Sequence, residues 1–211
     1  DVMVCAAGSL PGDVHKLWRT RDPRGYHLEY GYSYMGYEIA GGLGVKMAAP
    51  EKEVYVLLGD GSYLMMSTEI VTSIQEGCKL IIVLLDNHGY ASIGGLSAAC
   101  GSQGFGTRYK YRDSRGSISG KDLPIDYAAN ASSLGAISLR AKNLDELKAA
   151  LATARDQDRT TVIVVETDID ERVPGYNSWW DVAVAEVSSI KSVQEARKKY
   201  EESVQKERYF L

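Results

Sequence analysis

The chain of 211 residues predicts a doubly wound α/β domain, with a mainly parallel sheet and helices on both faces. Three observations lead there. Unbroken, largely β-branched runs such as Val54–Leu58 and Leu80–Leu85 suit strands buried on both faces. Helical apolar periods lie between such runs, which is the rhythm of βαβ units. The composition, 45% hydrophobic and 25% charged, is that of an ordinary globular domain. It excludes a disordered chain, a collagen and a disulfide scaffold.

In chain order, strands are predicted at 2–6, Val54–Leu58, Leu80–Leu85, Ala136–Leu139 and Val162–Glu166. Met35, Ile39, Leu43 and Met47 repeat every four residues and predict a helix, with Gly36, Ala40 and Gly44 forming a small-residue face. Tyr63, Met66, Ile70 and Ile74 predict a second helix that ends at Gly77, a C′ glycine. Asn143 with Glu146 reads as a capping arrangement ahead of Leu144, Leu147 and Leu151. Residues 94–121 break the rhythm with seven glycines, and predict a long functional or disordered flap. The C-terminal stretch is a charged, mostly solvated helix pattern carrying Ile190, Val193, Tyr200 and Val204. The division expected is 1–186 for the α/β domain and 187–211 for this charged tail.

Charge and cysteine content narrow the setting. Lys and Arg number 24 against 28 Asp and Glu, so there is no basic field to attract nucleic acid. The longest apolar run, Leu80–Leu85, is too short to span a bilayer, so no membrane partner is expected. Cys5, Cys78 and Cys100 are odd in number and lack CxxC spacing, which points to a reducing cytoplasm. An opening on Asp1 that runs straight into strand-like Val2–Ala6 reads as part of a longer protein.

The chemistry concentrates at two turns. Gly59-Asp60-Gly61-Ser62 lies between a strand and a helix, where glycines let the backbone approach a phosphate and free N–H groups point at it. A carboxylate there repels a bare phosphate, but a hard divalent cation reconciles the two. Mg²⁺ takes oxygens from carboxylates, carbonyls and phosphates. Asp86-Asn87-His88-Gly89-Tyr90 ends the next strand. Parallel neighbours joined by a right-handed crossover bring these strand ends side by side, at the usual ligand crevice. Asp60 and Asn87 can then share one ion, with the Gly89 carbonyl as a third ligand.

Gly-Asp-Gly followed by Asn87, with residues 62–86 between Gly61 and Asn87, resembles the diphosphate-binding motif of thiamine diphosphate enzymes. Upstream, Gly31, Ser33, Met35, Gly36 and the small-residue run to Gly44 resemble a segment of acetolactate synthases and pyruvate oxidases. The resemblance implies that Met35 wedges beneath the cofactor and that the Ser33 carbonyl accepts from its aminopyrimidine. It implies cofactor contacts from Gly59, Gly61, Ser62 and Gly89, and Mg²⁺ ligands from Asp60, Asn87 and Gly89. By position, His88 reads either as a phosphate or substrate contact or as a plain loop residue, and Tyr90 as a residue lining the cofactor pocket. The segment from Ala6 to Asp13, the tyrosine-rich approach to Gly31, Asp86–Tyr90 and the tail Pro174–Val182 together resemble one group. That group is the 3D-(3,5/4)-trihydroxycyclohexane-1,2-dione hydrolases of myo-inositol catabolism, in their C-terminal diphosphate-binding domain.

The resemblance implies cleavage of a cyclic 1,2-diketone to 5-deoxy-D-glucuronate in a homodimer or homotetramer whose active sites are shared between subunits. No catalytic residue is assigned within this chain. The activating Glu is expected from a pyrimidine-binding domain, and Glu29, Glu38 and Glu69 are not given that role. Two departures stand out. Asp86 replaces the first Asn of the usual pair, and Ile93 stands where pyruvate decarboxylases carry an acid, which argues against a simple decarboxylase. His27 reads either as a proton carrier or as a structural histidine. An acetolactate synthase or glyoxylate carboligase, and a non-catalytic diphosphate-binding module, remain alternative readings.

Overall fold

The computed structural model describes residues 1–29, 31–175 and 179–208. Tyr30 and Tyr176–Ser178, which belong to segments that carry the resemblance, lie outside the described residues, as does the end of the tail, 209–211. The chain forms two compact units. The first comprises Asp1–Gly89 and Leu123–Arg172 and holds the whole sheet; the second comprises Tyr90–Asp122 and Val173–Leu211.

The first unit opens with β1 (Val2–Cys5), α1 (Ser9–Leu17), β2 (Tyr26–Leu28) and α2 (Tyr37–Ala48). It continues through β3 (Val54–Gly59), α3 (Asp60–Met65), α4 (Glu69–Gln75) and β4 (Ile81–Asp86). After the second unit's α5 (Ala91–Ala99), the chain returns with α6 (Tyr127–Ser133), β5 (Ile137–Ala141), α7 (Leu144–Arg155) and β6 (Thr161–Glu166). Helix α8 (Lys191–Val204) lies in the second unit and draws the charged C-terminal pattern into one element.

The six strands are ordered β2-β1-β3-β4-β6-β5, and every pairing is parallel. Alternate residues of each buried strand face opposite layers, as the pleat requires. Val54, Val56, Ile82, Leu84, Val162 and Val164 meet Ile39 and Leu43 of α2, Tyr63 of α3, Ile70 of α4 and Tyr127 of α6. On the other face Ile81 and Ile163 meet α7 through Ala150 and Ala154, while Met3 and Cys5 meet α1 through Val14. Burying each large aliphatic side chain contributes about 1.5–3 kcal/mol. The doubly wound sheet expected from the apolar runs is therefore the fold.

Several elements differ in detail from their sequence signals. The period through Tyr63, Met66, Ile70 and Ile74 is two helices rather than one. Met66 leaves α3 with φ −152° and ψ 60°, outside the helical region, and α4 restarts at Glu69. A Cβ on Gly36 would sit 3.0 Å from the Met66 Cβ, so the approach of that loop coincides with the break. Met35 precedes α2 rather than lying in it, and Met47 is half exposed. The face of α2 that packs on the sheet carries Gly42: a Cβ there would stand 2.4 Å from Val56 Cγ2. The expected flap begins as helix α5 and only then becomes loop. Gly77 has φ +63°, as a C′ glycine should, and Asn143 Oδ1 accepts from the Glu146 N–H at 2.9 Å.

Candidate functional site

Parallel register brings three strand ends together in the first unit. Gly59 of β3 pairs with Leu85 of β4, and Asp86 pairs with Glu166 of β6. Asp60 and Asp86 therefore emerge beside one another at the carboxyl edge of the sheet, where ligands of open α/β folds bind.

Asp60 is 1% exposed, and its carboxylate links the two turns. Oδ1 accepts from the Gly61 N–H at 2.8 Å, and Oδ2 accepts from the Gly89 N–H at 3.0 Å. Burial pushes this carboxyl up to about 7, and the negative charge of Asp86 adds to the rise. The N–H donors from Gly89 and Gly61 pull the other way. Such a carboxylate is expensive to ionise without a positive charge nearby.

The Asn87 carboxamide ends 3.3 Å from Asp60 Oδ1 and 2.8 Å from the Gly89 carbonyl oxygen. With its nitrogen turned inward, it donates to both. With its oxygen turned inward, three oxygens from a carboxylate, an amide and a backbone carbonyl face one another, and a cation is what reconciles them. This hard-oxygen set fits Mg²⁺ in chemistry and in charge. At Gly59, a Cβ would meet nothing within 4 Å, so the backbone there borders open space that a diphosphate can enter. Gly61 and Ser62 are buried in the first turn of α3.

His88 and Ser33 are the two non-glycine residues with positive φ among the described residues, at +59° and +55°. Strain of this kind concentrates at functional sites. His88 also bridges two carboxylates, with Nδ1 3.4 Å from Asp86 Oδ1 and Nε2 3.2 Å from Glu166 Oε1. The turn carrying Ser33 is held by Glu29, whose two oxygens accept from the Tyr32 N–H at 3.0 Å and the Tyr34 N–H at 2.9 Å. These donors hold the Glu29 carboxyl below the usual range. Met35 is partly buried just before Gly36, whose φ of +92° turns the chain into α2.

Tyr90 belongs to the second unit, where its N–H donates to the Thr107 carbonyl at 2.8 Å and its ring meets Tyr109 edge-on. Ile93, also there, is exposed on α5. His27 Nε2 lies 2.7 Å from the Tyr37 hydroxyl with the rings stacked, so this histidine has a defined partner. Two features escaped the sequence reading. One is the bridging of His88 to Glu166. The other is the burial of Glu38, considered in the sequence only for the activating role: it is 1% exposed and is the sole charged residue between Gly31 and Val45, a signal that an apolar helix face offers in the sequence itself.

The family model described as "Thiamine pyrophosphate enzyme, C-terminal TPP binding domain" matches residues 6–165. A 3D-(3,5/4)-trihydroxycyclohexane-1,2-dione hydrolase of Clostridium botulinum is 48% identical over 198 residues, covering 93% of this chain and 31% of that protein. One of Bacillus cereus, numbered 2, is 44% identical over 210 residues, 99% of this chain and 33% of that protein. The chain thus spans about a third of the length of these relatives. Among solved structures, the thiamine diphosphate-dependent 4-hydroxybenzoylformate decarboxylase of Rhodococcus jostii RHA1 shares the fold, with a TM-score of 0.66 at 22% identity over 80% of this chain and 30% of that one. This chain belongs to the thiamine pyrophosphate enzyme family and carries its C-terminal TPP-binding domain.

Proposed function

We propose that this chain is the cofactor-binding part of a thiamine diphosphate- and Mg²⁺-dependent hydrolase. The enzyme opens the ring of 3D-(3,5/4)-trihydroxycyclohexane-1,2-dione by C–C cleavage to 5-deoxy-D-glucuronate in myo-inositol catabolism. The observation that carries the cofactor reading is the convergence of Asp60, Asn87 and the Gly89 carbonyl at the carboxyl edge of the sheet. The substrate reading is supported by the 44–48% identity to relatives bearing that enzyme's name.

In this reading Asp60, Asn87 and Gly89 hold the Mg²⁺, while Gly59, Gly61, Ser62 and His88 receive the diphosphate. Ser33 and Met35 orient the aminopyrimidine end, and Tyr90, which follows Gly89 in the sequence, is proposed as a further cofactor contact. Thiamine diphosphate, when bound, supplies the electron sink that C–C cleavage next to a carbonyl requires. The chain's own residues bind and orient it. Glu29 shapes the Ser33 turn, and the buried Asp60 supplies charge to the cation. The activating carboxylate is proposed to come from sequence outside this chain, in a homodimer or homotetramer. A cytoplasmic setting is supported by the three free cysteines. Among the described residues, no helix is long and apolar enough to cross a membrane.

Calorimetry on the protein at its natural length, with and without Mg²⁺, tests the site. Thiamine diphosphate should bind tightly only when Mg²⁺ is present, and Asp60→Ala should abolish that dependence. Equal binding by the variant would refute the metal assignment. Incubation with the cyclic dione tests the reaction. Carboligation of pyruvate or glyoxylate with the dione left intact would favour an acetolactate synthase or glyoxylate carboligase.

A further inference from the structure

Glu38 is a buried carboxylate outside the cation cluster. It lies in the first turn of α2 and is 1% exposed. A charge-bearing group in such a place needs donors around it, and these come from three separate segments. Oε1 accepts from the Ala7 N–H at 3.4 Å, in the turn after β1. Oε2 accepts from the Gly36 N–H at 3.0 Å, at the end of the loop that carries Ser33 and Met35. The Ser62 side chain, in the first turn of α3, stands near the same carboxyl and lowers its pKa. Burial pushes the Glu38 carboxyl above its usual range, and these donors draw it back. Packing alone does not call for a carboxyl here, since an apolar side chain would avoid the desolvation.

We infer that Glu38 is a positioning residue that sets the spacing between the loop at the aminopyrimidine end of thiamine diphosphate and the turn at its diphosphate end. The inference rests on the cofactor reading above. A ligand that spans two loops binds well only when both stand at the right separation. Glu38 joins their roots, Gly36 on one side and Ser62 on the other. It acts through these neighbours. An amide in the same place puts an NH2 donor where one of the two oxygens stood, so either the Ala7 or the Gly36 N–H faces another donor instead of an acceptor. Glu38→Gln therefore breaks a link while keeping the shape, and Glu38→Ala breaks all three.

The test is calorimetry in Mg²⁺ on the protein at its natural length, comparing thiamine diphosphate with inorganic pyrophosphate, which engages the diphosphate end alone. Glu38→Gln should weaken thiamine diphosphate by roughly tenfold or more while pyrophosphate affinity stays within about twofold. Glu38→Ala, which also loses Ser62 as a neighbour, should weaken thiamine diphosphate further still. A merely structural role would lower both affinities together with the melting temperature. Equal losses on the two ligands, or no loss on thiamine diphosphate, overturn the inference. So does failure of Glu38→Gln to fold, which would make Glu38 a core group and nothing more. If the unaltered protein binds pyrophosphate but not thiamine diphosphate, the cofactor reading itself falls, and the two failures are thereby told apart.

Discussion

Asp60 and Asp126 are both acids next to backbone donors, yet their environments drive them in opposite directions. Asp60 is buried beside a second carboxylate, so its neutral form is favoured. Asp126 is exposed at the N-cap of α6, where its Oδ1 accepts from the Ala129 N–H at 2.9 Å and its carboxylate also meets the Arg140 guanidinium. The Ala129 N–H, with Arg140 adding to it, holds the Asp126 carboxyl below 3.8. A depressed pKa stabilises the fold above the unfolded value and loses that contribution as pH falls through the folded value. Asp126→Asn keeps an N-cap oxygen but removes the titration. Urea midpoints followed from about pH 5 to below 3.8 should fall less steeply for the variant than for the unaltered protein. An unchanged slope would mean that neither the Ala129 N–H nor Arg140 holds the Asp126 carboxylate in solution. The strained φ at Ser33 and His88 is a second residue-scale feature, and no residue type announces it, because neither is glycine.

At the scale of elements, α2 shows how one glycine can decide a packing distance. Gly42→Ala drives a Cβ to 2.4 Å from Val56 Cγ2, while Gly44→Ala meets nothing within 4 Å. Overpacking costs about 1–3 kcal/mol, against up to about 1 kcal/mol of helix propensity gained from either change. Thermal unfolding should show Gly42→Ala destabilised and Gly44→Ala equal or stabilised. The reverse order would mean that α2 does not rest on β3 as described. Legibility followed burial. The five strands expected from apolar runs all formed: β1, β4 and β6 are buried along most of their length and β3 on alternate residues, while β5, at the sheet edge, is mostly half-buried and was marked by its apolar residues alone. Strand β2 went unread: Tyr26–Leu28 is three residues at the sheet edge, half-buried, with no apolar run to mark it. Helix α6 was equally silent, being built of alanines, serines and Asn130 after a single buried Tyr127. The break between α3 and α4 was invisible for another reason. The apolar period runs on across it, and the segment that presses against it, Gly36, is remote in sequence.

For the molecule as a whole, the proposed cation site of Asp60, Asn87 and Gly89 lies at the carboxyl edge of the parallel sheet in the first unit, and the chain spans about a third of its relatives' length. The proposed activating carboxylate lies outside it. By itself the chain should therefore leave the cyclic dione unopened, while the protein at its natural length consumes it; following the dione by NMR compares the two. Turnover by the isolated chain would send the search for the activating acid back to Glu29, Glu38 and Glu69. The sequence by itself determined the sheet-and-helix rhythm, the two turns and their spacing, because apolar runs and glycine-acid turns are local and need no partner to be read. The tertiary structure alone decided that the Asp60 carboxylate reaches the Gly89 N–H, that His88 stands between two carboxylates, and that Glu38 ties three segments together. Those contacts depend on strand register and on which face of a helix is buried, and both are set only when the sheet and its layers close around one core.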